Sequence, residues 1–330
     1  MSAASETARR RPLFPGFELP ALSLGGAALG GIDRREAHAI LRVAVEIGIA
    51  LVDTSSAYGM SESVIGHAPA ALSVATKYGN PCERNGERND YSAAHCVDSL
   101  YASIAALQGK PIACFQLHSP PECPSPFVPA LVDLLESLRR AGKFGAWGAS
   151  VHTVHGGQVA LGAGAQMLQV PYNLLQQENA ALLAICLVRG VGVLVQSSLC
   201  QGWMTQQGVR AARLLLSAPH RLPARLLCHG SEIGFIDLLH RVITLEEIAK
   251  RHGMRLQEMA LRFSLHAPGA TSVLVQVRTA SQLREIGQHG LAPLPHECTL
   301  ELIALAASTE PSTGKLVHGG QATAGRKLWT

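Results

Sequence analysis

The strongest constraint on the fold of this 330-residue chain is a regular alternation of short apolar runs with segments of helix length. Helical patterning over Arg34 to Ile47 precedes an apolar run at Ile49 to Asp53, and a short helix from Glu62 precedes Leu72 to Lys77. A longer helix over Tyr91 to Leu107 leads into Ile112 to His118, and Pro126 to Ala141 leads into Phe144 to Ser150. The same rhythm continues with a helix around Thr153 to Leu161 before Met167 to Val170, and Glu178 to Val188 before Val191 to Gln196. Ser272 to Val277 is then followed by a helix from Ser281. Runs of four to seven β-branched and aliphatic residues read as buried parallel strands, because strands covered on both faces lose polar alternation. With Leu22 to Leu24 as the first, about eight such strands result, which is the pattern of an α/β protein of (β/α)8 TIM barrel type.

A doubly wound sheet is the rival, and it calls for a Gly-x-Gly-x-x-Gly turn after an early strand. Gly25-Gly26 followed by Gly30-Gly31 lacks that spacing and reads as a tight loop. Leu13 to Leu19 and Leu22 to Gly26, separated by Pro20, are expected to form an N-terminal hairpin across the barrel bottom. The expected organisation is a disordered tail over 1–12 and one barrel domain over 13–330. Within that domain, Gln201 to Arg241 forms a lid or partly helical excursion, and a C-terminal tail begins near Ser312.

Composition narrows the function classes. The chain is 47% hydrophobic and 16% charged, which suits a large core. The net charge of +4 is scattered, apart from Arg9-Arg10-Arg11, so no nucleic-acid partner is expected. No apolar stretch is long enough to span a bilayer, and Met1 to Arg11 has no apolar segment of signal-peptide type. A cytoplasmic protein without a membrane partner is expected, its oligomeric state left open. The eight cysteines are dispersed and read as free thiols. Neither Cys114, His118 and Cys123 nor Cys82, His95 and Cys96 has paired metal-ligand spacing, so no metal site is expected.

Four residues carry the chemistry. Asp53 and Tyr58 stand in Val52-Asp53-Thr54-Ser55-Ser56-Ala57-Tyr58-Gly59, Lys77 in Ala75-Thr76-Lys77-Tyr78, and His118 in Phe115-Gln116-Leu117-His118. Each lies at the end of an apolar run or just after one, on the rim where barrels of this type place their active sites. Reduction of a carbonyl needs a proton donor for the developing alkoxide, and a phenol with a reference pKa of about 10 serves only if its anion is stabilised. A neighbouring Lys77 ammonium supplies that stabilisation, Asp53 holds the ammonium charged and oriented, and His118 donates to the substrate oxygen or relays a proton.

From about Leu22 to Leu305 the chain resembles the aldo-keto reductase superfamily. The resemblance rests on Asp53 to Glu62, Ala75-Thr76-Lys77, Gln116-Leu117-His118, Gly142 to Ser150 and Gln169-Val170-Pro171-Tyr172-Asn173-Leu174-Leu175. Leu24-Gly25-Gly26-Ala27 and the Tyr58 to Glu62 segment look most like bacterial sugar dehydrogenases of the aldose or L-galactose type. The resemblance implies a (β/α)8 barrel that binds NADPH or NADH without a Rossmann domain. It also implies a tetrad of Asp53, Tyr58, Lys77 and His118 acting on a small-molecule substrate. It places the coenzyme against Gly26, Ser150, Gln169, Ser197, Leu199, Arg278, Gln282 and Glu285.

The coenzyme side departs from the family pattern. Val151 follows Ser150 where Asn is common, and Gln196 precedes Ser197-Ser198-Leu199 where an aromatic often stacks on the nicotinamide. The segment Val275 to Ile286 lacks Pro-Gly and carries Ile286 in place of Asn. The preference between NADPH and NADH is therefore open. The expected activity is NAD(P)(H)-dependent interconversion of a carbonyl and a hydroxyl on a sugar-like or small metabolite. The alternatives are a redox-neutral elimination or isomerisation on the same tetrad, or a nicotinamide-sensing subunit. Substrate choice is expected to lie with Gln201 to Arg241, Gly79 to Asp90 and the tail from Ser312. Trp203 is a candidate pocket residue, whereas Trp147, inside a strand pattern, reads as core.

Overall fold

The computed structural model describes residues 10–69, 71–80, 89–218, 232–289 and 291–307. A two-stranded hairpin of β1 (Arg11–Phe14) and β2 (Phe17–Leu19) precedes the barrel. The barrel strands are β3 (Leu22–Gly25), β4 (Leu51–Asp53), β5 (Ser73–Tyr78) and β6 (Ile112–His118), then β7 (Ala146–Ser150), β8 (Met167–Pro171), β9 (Gly192–Gln196) and β10 (Ala270–Gln276). All eight pair in parallel and close in the order β10-β3-β4-β5-β6-β7-β8-β9. The (β/α)8 expectation therefore holds.

The helices cover the barrel because their apolar residues fall on one face. In helix Arg34–Glu46 the buried set is Ala37, Ile40, Leu41, Val43 and Ala44, and the Asp33 carboxylate caps the first turn by accepting from the Arg35 and Glu36 amides. Pro129 opens helix Pro129–Arg140, where its missing N–H costs nothing. Trp147 is fully buried and donates from Nε1 to Glu136 Oε1 at 2.7 Å, so it is core as expected.

Two expectations are corrected. The hairpin turns at Pro15-Gly16, not around Pro20, and Leu22–Gly25 joins the barrel instead of pairing with the hairpin. A left-handed Gly16 at φ 83° closes this turn, whereas the segment around Pro20 runs directly from β2 into β3. Leu13 and Leu19 of the hairpin pack with Leu51, Ala75, Cys114, Met167 and Leu194, plugging the end of the barrel at which β4 and β8 begin.

The excursion after β9 is largely helical within the described residues, with helices Gln206–Ser217 and Glu232–Arg251. They build a second core with Leu256–Leu265 and His296–Ala307, centred on Met204, Leu239, Val242, Met259 and Cys298. Trp203 belongs to that core, edge-on to Phe235 at 5.9 Å. The rest of the excursion, 219–231, and the C-terminal tail lie outside the described residues. No helix among the described residues is long and apolar enough to cross a membrane.

Candidate active site

Asp53 ends β4, Lys77 is the penultimate residue of β5 and His118 ends β6, so three adjacent parallel strands deliver three functional groups to one rim. Strand register extends the row, pairing Lys77 with Gln116, His118 with Ser150 and Ser150 with Gln169. The loop after β4 brings in Tyr58. It is anchored by Thr54 N–H to the Ala75 carbonyl at 2.7 Å and by the Ser56 amide and hydroxyl, both donating to the Lys77 carbonyl.

Two glycines make this loop possible. A Cβ at Gly26 would sit 2.7 Å from the Asp53 carbonyl oxygen, and one at Gly30 would sit 2.4 Å from that of Tyr58. The glycine-rich stretch is thus a tight support beneath the Asp53–Tyr58 loop, and Gly26 donates its N–H to the Asp53 carbonyl at 2.6 Å.

Lys77 Nζ donates to Asp53 Oδ1 at 2.7 Å, to Oδ2 at 2.6 Å and to the Thr54 carbonyl at 2.8 Å. Both side chains are buried. Burial works against the ammonium, but attraction to Asp53 and then to Tyr58 outweighs it and holds the Lys77 pKa above the ordinary value. Tyr58 lies with its ring centroid 5.2 Å from Lys77 Nζ and its hydroxyl in hydrogen-bond contact with it.

The Tyr58 ring meets His118 edge-on at 5.7 Å. Burial, the Lys77 charge and His152 pull the His118 pKa down to about 3, so the imidazole is neutral near pH 7. Its Nδ1 lies 3.2 Å from the Ser55 hydroxyl, and its carbonyl accepts from the Tyr91 hydroxyl at 2.7 Å. The arrangement offers a hydroxyl backed by a fixed cation, next to a neutral imidazole, at a strand-end rim.

Asp53 has two further partners that sequence reasoning did not assign. Gln116 Nε2 donates to Oδ1 and Gln169 Nε2 to Oδ2, each at 3.4 Å. Gln116 shares the face of β6 that bears His118, a period-two relation visible in Phe115-Gln116-Leu117-His118. Gln169 Nε2 also donates to Gln196 Oε1 at 3.0 Å. The oxygens of Gln116 and Gln169 are buried without a partner among the described residues. Ser55 and His152, the latter 2.8 Å from the Ser119 hydroxyl, were likewise not singled out.

The sequence-derived coenzyme residues fall into two groups. Gly26, Ser150 and Gln169 surround the tetrad, and Ser197 and Leu199 follow β9, with Ser197 in a left-handed conformation at φ 60°. Arg278, Gln282 and Glu285 lie at the helix Ala280–Gly287. There Gln282 Oε1 accepts from the Arg278 and Thr279 amides in a capping box, and Glu285 pairs with Arg255. Arg278 is exposed, and among the described residues no carboxylate pairs with it. The six described cysteines are free thiols, and the described residues hold no group of three or more His, Cys, Asp or Glu suited to a metal.

Residues 21–302 match the sequence model of the Aldo/keto reductase family, a family of oxidoreductases. The chain belongs to that family. The aldo-keto reductase YhdN of Bacillus subtilis is 27% identical over 81% of this chain and 82% of its own length. The L-galactose dehydrogenase of Arabidopsis thaliana is also 27% identical, over 82% of this chain and 84% of its own length. Among solved structures, the glycerol dehydrogenase of Gluconobacter oxydans shares the fold at a TM-score of 0.72 and 21% identity, covering 93% of this chain and 98% of its own.

Proposed function

We propose that this protein interconverts a carbonyl and a hydroxyl group on a sugar-like or other small metabolite with NADPH or NADH, using Tyr58 as the acid in reduction and the base in oxidation. The observation that carries this is the buried Lys77–Asp53 pair directly beneath the Tyr58 hydroxyl. A buried ion pair is costly to build and contributes little net stability, so its presence at the one rim that also carries Tyr58 and His118 is better explained by chemistry than by folding.

The nicotinamide coenzyme, when bound, supplies or accepts the hydride. Tyr58 donates its proton to the carbonyl oxygen as negative charge develops there, and the Lys77 ammonium stabilises the phenolate left behind. Asp53 keeps Lys77 cationic in an apolar interior. Neutral His118 contributes a single N–H to the same oxygen and orients it.

The residues present fit a nicotinamide. Gln169 keeps a buried acceptor without a partner among the described residues, which is what a carboxamide N–H requires, and Ser150 is its neighbour across strand register. Kinship with an L-galactose dehydrogenase and structural likeness to a glycerol dehydrogenase support a polyhydroxylated substrate.

The test is Tyr58→Phe, assayed against a panel of sugars, polyols and aldehydes with both coenzymes. Turnover should fall by at least about 100-fold, the lower end for general acid-base catalysis. Coenzyme affinity, read by quenching of protein fluorescence, should stay within about twofold of wild type. Undiminished turnover would remove Tyr58 from the assigned role.

A further inference from the structure

Resting on the proposed coenzyme use, we infer that Gln196 is a positioning residue which, together with the Asp53 carboxylate, holds the Gln169 amide so that its oxygen, not its nitrogen, faces the nicotinamide carboxamide. Gln169 is almost wholly buried, and a side-chain amide in such a place can be seated either way round. The two ends differ only in what they bond. Asp53 fixes one end by accepting from Nε2, but at 3.4 Å that bond is long. Gln196 Oε1 accepts from the same nitrogen at 3.0 Å, within the ordinary range.

With both acceptors on Nε2, Oε1 is left buried and without a partner among the described residues. An unpaired buried oxygen costs free energy, so this one is explained if a ligand donor completes it. The primary amide of nicotinamide is such a donor.

The placement follows from strand register. Gln196 ends β9, where it pairs with Pro171, and Gln169 lies two residues earlier on β8, so both side chains share one face of adjacent strands. Gln196 also stands just before Ser197-Ser198-Leu199, where the resemblance led to the expectation of a stacking aromatic. An aromatic ring there would offer stacking area but no amide oxygen for Gln169 Nε2. This chain supplies the amide oxygen. Gln116 is held on the other Asp53 oxygen in the same way, without a second amide acceptor for its nitrogen among the described residues.

The experiment compares binding of the natural coenzyme with its 3-acetylpyridine analogue, in which a methyl group replaces the carboxamide NH2. Fluorescence titration of the full chain measures both, so no turnover is needed. Wild type should prefer the natural coenzyme by about tenfold, the equivalent of one hydrogen bond. Gln196→Met, which keeps the length of the side chain and removes its amide, should reduce that preference to within about twofold. Gln196→Glu keeps an acceptor for Gln169 and should retain the wild-type ratio, because its added charge affects both coenzymes alike.

A simple packing defect would weaken both coenzymes equally and leave the ratio intact. A wild-type ratio in Gln196→Met, or a collapsed ratio in Gln196→Glu, would overturn the positioning role while leaving the coenzyme assignment in place. Failure of wild type to bind either natural coenzyme would overturn the coenzyme assignment itself, and the inference with it.

Discussion

Ser55, 3.2 Å from His118 Nδ1, is expected to hold the imidazole in one tautomer. The Ser55 hydroxyl has one proton to give and two acceptors within reach, His118 Nδ1 at 3.2 Å and the Lys77 carbonyl at 3.4 Å. That carbonyl already accepts from the Ser56 amide and hydroxyl, so the expected arrangement has Ser55 donating to the imidazole and the ring proton on Nε2. Ser55→Ala should shift the His118 15N signals away from a pure Nε2–H tautomer and lower turnover several-fold with little change in melting temperature. Unchanged nitrogen shifts would show that the hydroxyl does not select the tautomer. Removing a member of the ion pair has a different effect: Lys77→Met strands the Asp53 carboxylate in the interior and should cost about 3–5 kcal/mol. Chemical denaturation measures that loss, and a negligible change would mean that Asp53 takes up a proton in the variant. At this scale Asp53, Lys77 and His118 stood out in the sequence as unusual side chains at strand ends, and Tyr58 as one in the loop just after such an end. Gln196 was visible only as a missing aromatic, since its contact with Gln169 depends on how β8 and β9 align, and no local pattern records that register.

The helix Ala280–Gly287 shows how one element can favour or oppose an anion. Helix N-termini attract phosphate through their free amides and dipole. Here Gln282 Oε1 accepts from the Thr279 amide, and the Glu36 carboxylate accepts from the Ala280 amide at 2.6 Å. Among the described residues no carboxylate pairs with Arg278, so on the proposed coenzyme use it is the cation expected to meet a 2′-phosphate, at a helix end where Glu36 adds negative charge. Arg278→Ala should weaken NADPH binding about tenfold and leave NADH within about twofold, as expected for one charge-assisted hydrogen bond. Glu36→Gln should act in the opposite sense and improve NADPH binding about two- to fivefold, the range for a charge at a helix terminus. Calorimetric titration with both coenzymes separates these outcomes, and equal effects on the two would detach this helix from 2′-phosphate recognition. Element boundaries were legible where the periodicity was strong, as at Ile112–His118, which is a strand over the same residues. Helix Glu232–Arg251 had a usable signal as well, in Leu238, Leu239, Val242, Leu245 and Ala249 at helical spacing. With Pro219, Pro223 and few strand-like runs the segment read only as a lid or partly helical excursion, and the helix buries its apolar residues in the second core.

The whole barrel carries the cost of enclosing a neutral histidine beside a cation. In the unfolded chain His118 takes up a proton near its reference pKa of about 6.5. In the folded protein, burial and the Lys77 charge delay that uptake until about pH 3. Between those values the unfolded state binds the extra proton, so acidification favours unfolding, and His118 stabilises the fold fully only above about pH 6.5. The slope from this one group approaches 1.4 kcal/mol per pH unit. His118→Gln has no proton to gain, so wild type should lose stability relative to the variant as pH falls from 7 towards 4, whatever their order at neutrality. Denaturant unfolding of both proteins across that range reads the difference directly, and all other titrating groups are common to the two chains. Parallel curves would mean that the imidazole is protonated in the fold as readily as outside it. Lys77 would then sit beside a second cation, and His118 would enter the reaction as an acid in its own right.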